Sequence, residues 1–297
     1  MTLSTFLQQL INGLSLGSLY ALIAIGYTMV YGILKLINFA HGDIFMMAAY
    51  FAYFGIAVFL LPWYVTFIIT ILLTMALGAL IERTAYRPLR EAPKTSLLIS
   101  AIGVSFLLEN LATYLFSGKP QAFPEFPAMT TPIFVGGISI QPVSVAIPIV
   151  AFVLMTAILF IINKTKVGMA MRAVSVDYDT AKLMGIKIDN VISSTFALGS
   201  GLAAVGALLW CMKYPSVLPL MGVVPGLKCF IAAVIGGIGN VKGAVIGGLI
   251  LGFSEVLMVA FFPAMTGYRD AVAFIILIVI LLFLPNGILG KKQVEKV

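Results

Sequence analysis

Charged residues are scarce in this sequence. Only 10% of its 297 residues are charged, whereas 61% are hydrophobic and the mean hydropathy is +1.12. Soluble domains carry about 25% charged residues, so this chain has too few to surround an apolar core with a charged shell. The composition therefore excludes a water-soluble globular protein and predicts that lipid is the solvent for most of the surface.

The residues that enzymes and metal sites depend on are also nearly missing. His41 is the single histidine, and Cys211 and Cys229 have no histidine or cysteine at metal-ligand spacing. A glycine-rich phosphate loop that ends in lysine and serine or threonine does not occur. The sequence thus predicts no catalytic residue, no cofactor and no metal ion, and the chain is not expected to hydrolyse a nucleotide by itself.

Long apolar runs are what the sequence does contain. A bilayer core about 30 Å thick requires about 20 residues of helix, with every backbone group bonded internally. Nine runs qualify, and they cover residues 10–31, 44–61, 64–81, 96–116, 142–162, 191–211, 218–238, 244–262 and 271–289. Prolines and glycines interrupt the start of the seventh run, which indicates either a broken helix or a short re-entrant one. We predict an all-α polytopic transmembrane bundle of about 8 to 9 spans, forming a single domain over residues 1–297.

The basic residues are confined to a few loops, which explains the net charge of +7 without a nucleic-acid partner. Loops 82–94 and 163–190 hold half of them, and Lys291, Lys292 and Lys296 follow in the C-terminal tail. The opposite loops carry only Lys119, Lys213 and Arg269. Because Lys and Arg accumulate in cytoplasmic loops, the basic loops and the C-terminus are predicted to be cytoplasmic. Nine spans then place the N-terminus outside.

Two loop regions invite further interpretation. The segment 117–141 contains four prolines, which exclude a continuous helix, so it is either an external cap or docking surface or a plain connector. The glycine-rich junction 31–43 joins the first two runs, and Asp43 within it is placed to cap the second helix. A similar junction at 236–243 suggests an internal repeat of the kind that transporters use, although the sequence identity between the two is thin.

A few polar groups fall inside or beside the apolar runs. Such groups are costly in lipid and by default face the bundle interior or a cavity. The candidates for lining a solute path are Asn38, Glu109, Asn110, Lys228 and Glu255. The alternative interpretation is that the charged members neutralise one another between helices.

The large basic loop, residues 163–190, has the pattern of a short helix. Asp177 or Asp179 is a suitable N-cap, 180–184 can form the helix, and Gly185 can end it. A soluble partner could bind such a helix. The alternative is an amphipathic helix that lies on the membrane surface.

Several motifs resemble a known family. The pattern acid-x-Ala, three residues, then Gly at 179–185 resembles the coupling-helix motif of ABC importer permeases, although the usual Glu-Ala-Ala is not matched at its first two positions. The stretches NGLSLGSLYAL at 12–22, GYTMVYG at 26–32 and INFAHG at 37–42 closely resemble the LivH-type permease of branched-chain amino acid ABC importers. The stretches YRPLR at 86–90 and AAVIGGIGN at 232–240 fit the same family, so the resemblance covers nearly the whole chain.

The resemblance implies a permease with the type II ABC importer fold in the bacterial inner, or plasma, membrane. It implies a second, related permease subunit, two cytoplasmic ATPase subunits that use the ATP, and an extracytoplasmic solute-binding protein. The residues expected to couple the chain to the ATPase are Arg172, Asp177, Asp179, Ala181 and Gly185. Leucine, isoleucine and valine are the expected cargo, and urea or short amides, which relatives carry, are the alternative. An ion-coupled secondary carrier and a membrane scaffold are the competing classes.

Overall fold

The computed structural model describes residues 3–135 and 137–290. The predicted cytoplasmic tail with Lys291, Lys292 and Lys296 lies outside these residues. Within them the chain forms twelve α-helices joined by short connections. The first six are α1 (Leu3–Leu34), α2 (His41–Tyr53), α3 (Trp63–Ile81), α4 (Lys94–Phe116), α5 (Pro127–Thr130) and α6 (Pro142–Lys164). The other six are α7 (Lys166–Val176), α8 (Tyr178–Leu183), α9 (Ile188–Lys213), α10 (Val223–Gly236), α11 (Val241–Phe261) and α12 (Arg269–Phe283).

Eight helical segments in the described ranges are long and apolar enough to cross a membrane. They contain α1, α2, α3, α4, α6, α9, α11 and α12, and they coincide with eight of the nine predicted runs. The ninth run, 218–238, contains only α10, whose 14 residues extend about 21 Å at 1.5 Å per residue. A turn precedes α10, so this run is an incomplete helix and not a continuous span.

Short strands organise one end of the bundle. The proline-rich loop 117–141 contains β1 (Gln121–Ala122), β2 (Ile133–Val135) and β3 (Ile138–Ile140) in addition to α5. Strands β2 and β3 form an antiparallel hairpin, and β1 pairs with β4 (Ser216–Val217), which follows α9. The loop is thus a folded cap, tied to the segment that leads into α10. We call this end the cap face and the opposite end, which carries loops 82–94 and 163–190, the basic face.

Helix α1 is the centre of the bundle. It packs against α6, α9, α10 and α11, and most of its side chains from Gly13 onward are buried. Glycines allow this packing, because a Cβ on Gly252 of α11 would meet the backbone of Gly17, and one on Gly248 would meet that of Ala21. The small residues of 199–206 and 243–252 thus bring α9 and α11 close to α1. In lipid, such close backbone contact replaces the hydrophobic effect as the main source of helix association.

Helices α3, α4, α6 and α12 form the periphery and expose large apolar side chains such as Leu72, Phe106, Phe152 and Leu282. Exposed surfaces of this composition are compatible with lipid or with another membrane helix, and not with water. The bundle therefore differs from a soluble protein at its periphery, where the exposed side chains are apolar and not charged. Its centre consists of side chains that are buried by the chain itself.

Helix α2 begins inside the bundle and not at its surface. The imidazole of His41, its first residue, lies against Gly26 and packs 4.5 Å from the ring of Tyr27. Gly26 precedes the end of α1 at Leu34 by eight residues, or about 12 Å along the helix axis. The chain between α1 and α2 therefore turns back into the bundle before α2 starts.

Candidate translocation and coupling sites

Helices α2 and α10 cross at their first turns. A Cβ on Gly42 would meet the carbonyl oxygen of Gly222, and a Cβ on Gly222 would meet the carbonyl oxygen of Gly42. Gly226, one turn further along α10, also lies against the backbone of Gly42. Both helices thus start within the bundle, and their N-terminal ends are in direct backbone contact. Broken helices at such depth are typical of the sites where transporters handle their solutes.

A cluster of charges lies beside this crossing. Lys228 of α10 and Glu255 of α11 are 4% and 0% exposed, and the Lys228 Nζ lies 2.9 Å from the Glu255 Oε1. Arg269 donates from Nε to the Glu255 Oε2 at 2.7 Å, and Tyr20 of α1 donates its hydroxyl to the same carboxylate. Asp270, which is largely exposed, gives Lys228 a second carboxylate at 2.7 Å. The cluster contains two cations and two carboxylates, so its formal charge is zero.

Mutual neutralisation is therefore what the structure shows for Lys228 and Glu255. Transferring an unpaired charge to an apolar interior costs several kcal/mol, and pairing with hydrogen bonds offsets that cost. Two of the five predicted path residues thus come together from segments 27 residues apart in the sequence. A role in the path for either of them stays a prediction.

Asn38 lies elsewhere, in the segment that turns back from α1 to α2. Its Oδ1 accepts a 2.7 Å hydrogen bond from the hydroxyl of Tyr86, while its buried Nδ2 has no partner among the residues described. Asp43 is close by in the first turn of α2 and accepts a hydrogen bond from Ser105 of α4. The prediction that Asp43 caps α2 is wrong, because the helix starts two residues earlier, with Ala40 at the N-cap and no capping side chain.

Glu109 and Asn110 lie on α4, away from the Lys228 cluster. Glu109 follows Ser105 by four residues and so shares the face of α4 that meets α2. It is half-buried and belongs to no ion pair in the described part of the chain. Asn110 is exposed and donates only to the Phe106 carbonyl of its own helix, at 2.7 Å. The structure does not bring these two residues to Lys228 and Glu255.

The basic face carries the predicted short helix. Helix α8 has Asp177 as its N-cap, and the Asp177 carboxylate accepts from the backbone N–H groups of Asp179 and Thr180. Gly185 follows the helix with φ +79°, a conformation that glycine adopts without strain. The predicted cap, helix and stop are confirmed, with the helix at Tyr178–Leu183 in place of 180–184.

Three contacts anchor α8 and the preceding α7 to the bundle. The Tyr178 hydroxyl donates to the Ile33 carbonyl at 2.7 Å, and burial raises the pKa of Tyr178, which favours the protonated form that donates. Ala181 is 3% exposed and faces the bundle. Arg172 of α7 donates to the Ile162 carbonyl at the end of α6. Tyr178 thus connects α8 directly to the end of α1.

The outer surface of the same segment exposes large apolar side chains that have no partner in residues 3–135 and 137–290. Val176, Leu183 and Met184 are 83%, 87% and 79% exposed. Large apolar side chains that protrude together from a polar loop mark an interaction surface. We call these three residues, with α8, the docking helix region.

Sequence reasoning missed an ionic network that lies beside this region. Arg90 bridges Glu82, at the end of α3, and Asp189, in the first turn of α9, where Arg87 also pairs with Asp189. Glu82 is fully buried and accepts a further hydrogen bond from Ser193. A π-helical turn over Glu82–Tyr86 and a 3-10 turn over Arg87–Leu89 direct both arginines toward α9. The spacing of Glu82, Arg87 and Arg90 was visible in the sequence, but Asp189, the common partner of the two arginines, lies about 100 residues away.

Comparison with known proteins places this arrangement in a family. The model of the family described as "Branched-chain amino acid transport system / permease component" matches residues 9–281. The high-affinity branched-chain amino acid transport system permease protein BraD of Pseudomonas aeruginosa is 42% identical, with 98% of each chain covered. The corresponding permease protein LivH of Escherichia coli K12 is 43% identical, again over 98% of each chain.

The fold also has a counterpart among solved structures. A chain from an inward-facing conformation of a metal-chelate type ABC transporter superposes with a TM-score of 0.51 at 17% identity. The match covers 94% of this chain and 86% of the other, and at this identity it concerns the fold alone. From the family match over most of its length and its close relatives, this chain belongs to the permease component family of branched-chain amino acid transport systems.

Proposed function

We propose that this chain is the permease subunit of an ATP-driven importer for leucine, isoleucine and valine, and forms half of the translocation pathway. A second, related permease supplies the other half, two cytoplasmic ATPase subunits supply the energy, and an extracytoplasmic binding protein delivers the solute. The identity of more than 40% with permeases of branched-chain amino acid systems supports the choice of cargo. The chain itself performs no catalysis in this proposal.

The docking helix region is the observation that carries the proposal. A capped helix of six residues with apolar side chains exposed around it suits a cleft on a soluble partner. Tyr178 and Ala181 hold its other side to the bundle. Closure of the ATPase subunits would then move α8, and with it the ends of α1 and α9, between inward-open and outward-open arrangements.

The proposed orientation places the basic face in the cytoplasm of a bacterial cell, with the cap face outside the inner membrane. The loops of the basic face hold nine of the eighteen lysines and arginines, counted over 82–94 and 163–190. The cap face exposes Lys119 and little other positive charge. This asymmetry follows the rule that cytoplasmic loops are enriched in Lys and Arg. The C-terminus is then cytoplasmic. The N-terminus is extracytoplasmic, because the chain returns from β4 on the cap face to the basic face through α10, which adds a ninth crossing to the eight spans.

Copurification of the assembled complex tests the docking assignment. Leu183→Asp places a charge on the exposed apolar surface, and we expect it to reduce the amount of ATPase that copurifies with the permease pair at least tenfold. Phe134→Asp is the matched control, because Phe134 is also a largely exposed apolar residue but lies in the hairpin of the cap face. Equal recovery of the ATPase with Leu183→Asp and with the unmodified chain would contradict the assignment.

A further inference from the structure

A recess of about 860 Å³ opens on the basic face, apart from the Lys228 cluster. The end of α1, the α6–α7 connection, the α10–α11 junction and the segment after α12 enclose it. Three cations line it, one from each of three different elements: Lys35, Arg172 and Lys242. None of its lining residues within 3–135 and 137–290 is acidic. The recess is therefore a site of concentrated positive charge.

The cations in this recess lack counter-charges from the described chain. Lys35 and Lys242 take part in no ion pair among those residues, and partial burial lowers the pKa of Lys35. Arg172 donates one hydrogen bond to the Ile162 carbonyl, and a guanidinium has five N–H donors. The lysines and the remaining Arg172 donors are thus available to an external anion.

The backbone at the recess adds partial positive charge to that of the three cations. Helix α11 begins at its edge, and the Asn240 Oδ1 accepts from the N–H groups of Lys242 and Gly243. The N-terminus of a helix carries a partial positive charge of about half an elementary charge. Apolar side chains such as Ile33, Leu159 and Val234 form part of the remaining wall, beside uncharged polar ones such as Thr28, Asn163 and Ser175. One part of the recess thus suits an anion, and the other part suits a hydrocarbon chain.

We propose that this recess binds a phosphate group, which the headgroup of an anionic phospholipid presents at the cytoplasmic surface of the membrane. Phosphate is the anion that suits separate lysines and a guanidinium approaching from several directions. Basic recesses between membrane helices on the cytoplasmic side are recurring sites for such headgroups. The apolar wall accommodates the start of an acyl chain, which a free phosphate would leave exposed to water.

The recess lies between the segment that leads to the docking helix region and the end of α1. Arg172 belongs to α7, which leads directly into the docking helix region, while Lys35 follows the end of α1. A phosphate between them would link the ATPase-binding segment to the central helix. None of the five predicted path residues lines the recess, so the proposal does not depend on which solute the chain carries.

Lipid titration of the assembled complex in nanodiscs tests the proposal. Phosphatidylglycerol replaces phosphatidylcholine stepwise, and retained lipid is measured by native mass spectrometry. A cation near the membrane surface contributes about fivefold to the binding of anionic lipid. Lys35→Gln with Lys242→Gln is therefore expected to weaken phosphatidylglycerol retention about thirtyfold. The control Arg83→Gln with Lys94→Gln removes the same charge from exposed positions of the basic face outside the recess, and should retain the lipid.

Two results would overturn the proposal in different ways. Equal loss of phosphatidylglycerol from both double variants would show that the lipid follows the overall charge of the basic face and not this recess. In a second arm, inorganic phosphate is added to the complex in phosphatidylcholine alone and the melting temperature is followed. Stabilisation of the unmodified chain but not of Lys35→Gln with Lys242→Gln, at millimolar phosphate, would keep the phosphate site and refute the lipid as its source.

Discussion

Single residues decide how charge is tolerated inside this bundle, and Glu255 is the central case. It is fully buried and accepts from Lys228, Arg269 and Tyr20, which come from three different elements. Removing one member of a buried ion pair leaves an uncompensated charge, at a cost of about 3–5 kcal/mol. The cluster therefore joins α1, α10 and α12 to α11, whatever further role it has in transport.

Replacing Glu255 by leucine should accordingly destabilise the protein by about 3 kcal/mol, because Lys228 keeps only the exposed Asp270 as a counter-charge. The measurement is the apparent melting temperature of the purified chain in detergent. Glu109→Gln is the control, since Glu109 has no ion pair in the described structure. An unchanged melting temperature for Glu255→Leu would refute the structural role.

The double variant Lys228→Met with Glu255→Leu separates structure from transport. Replacing a buried ion pair by apolar residues of similar volume is often neutral for stability, so we expect the melting temperature to recover. Solute uptake by the reassembled complex is then the second readout. Recovered stability with lost uptake would place the pair in the path, as the sequence suggested, whereas recovered uptake would leave it a purely structural role.

At the scale of elements, α8 depends on its cap. Six residues are too few for a helix to form by propensity alone, and the Asp177 carboxylate satisfies two of the free N–H groups at its start. Asp177→Ala should remove about 1 kcal/mol of helix stability, and ATP hydrolysis stimulated by the loaded binding protein should fall. Asp177→Asn retains the capping oxygen and serves as the control. Equal stimulation in Asp177→Ala and the unmodified complex would argue against coupling through α8.

The network around Arg90 connects this region to α3. Arg90 contacts Glu82 and Asp189 at once, which requires the fork of a guanidinium. Arg90→Lys keeps the charge but contacts only one carboxylate well, so we expect more ATP to be hydrolysed per solute imported. Arg83→Lys, on an exposed neighbouring position, is the matched change. A ratio of hydrolysis to import that is the same in both variants would show that Arg90 does not transmit the motion.

Across the whole molecule, the sequence predicted where helices cross the membrane but not how deep each one starts. Hydropathy placed eight spans close to their observed bounds, for example 96–116 against Lys94–Phe116, because lipid allows little else of such composition. Hydropathy does not show that the chain turns back into the bundle before α2, because the residues from Ile44 onward are apolar whether the helix starts at the surface or inside. That depth depends on the packing of His41 against Gly26, a contact across the fold.

In the candidate sites, too, local sequence patterns were predictable, whereas contacts between distant segments were not. The cap and stop of α8 are local patterns and were predicted. Lys228 and Glu255 were each recognised as costly in lipid, but their partners Arg269 and Tyr20 are set by helix packing. Asp43 was misread as a cap because the start of α2 depends on the same turn into the bundle.

The crossing of α2 and α10 gives a prediction for the assembled fold. Gly222→Ala adds a methyl group against the backbone of Gly42, which cannot move aside as a side chain could. We expect a loss of at least 1 kcal/mol, as for other overpacked sites, seen as a lower melting temperature. Gly103→Ala on α4 has open space around the added Cβ and should be tolerated. Equal stability of the two variants would refute the close crossing.

Reconstituted transport is the most direct test of the central claim, that this chain conducts branched-chain amino acids only as part of an ATP-driven assembly. Proteoliposomes would contain the chain with its partner permease, the ATPase subunits and the binding protein, and uptake of radiolabelled leucine would be followed. We predict uptake that requires ATP and every subunit, and none by the chain alone under an ion gradient. Leucine accumulation by the chain alone, driven by such a gradient, would contradict the account.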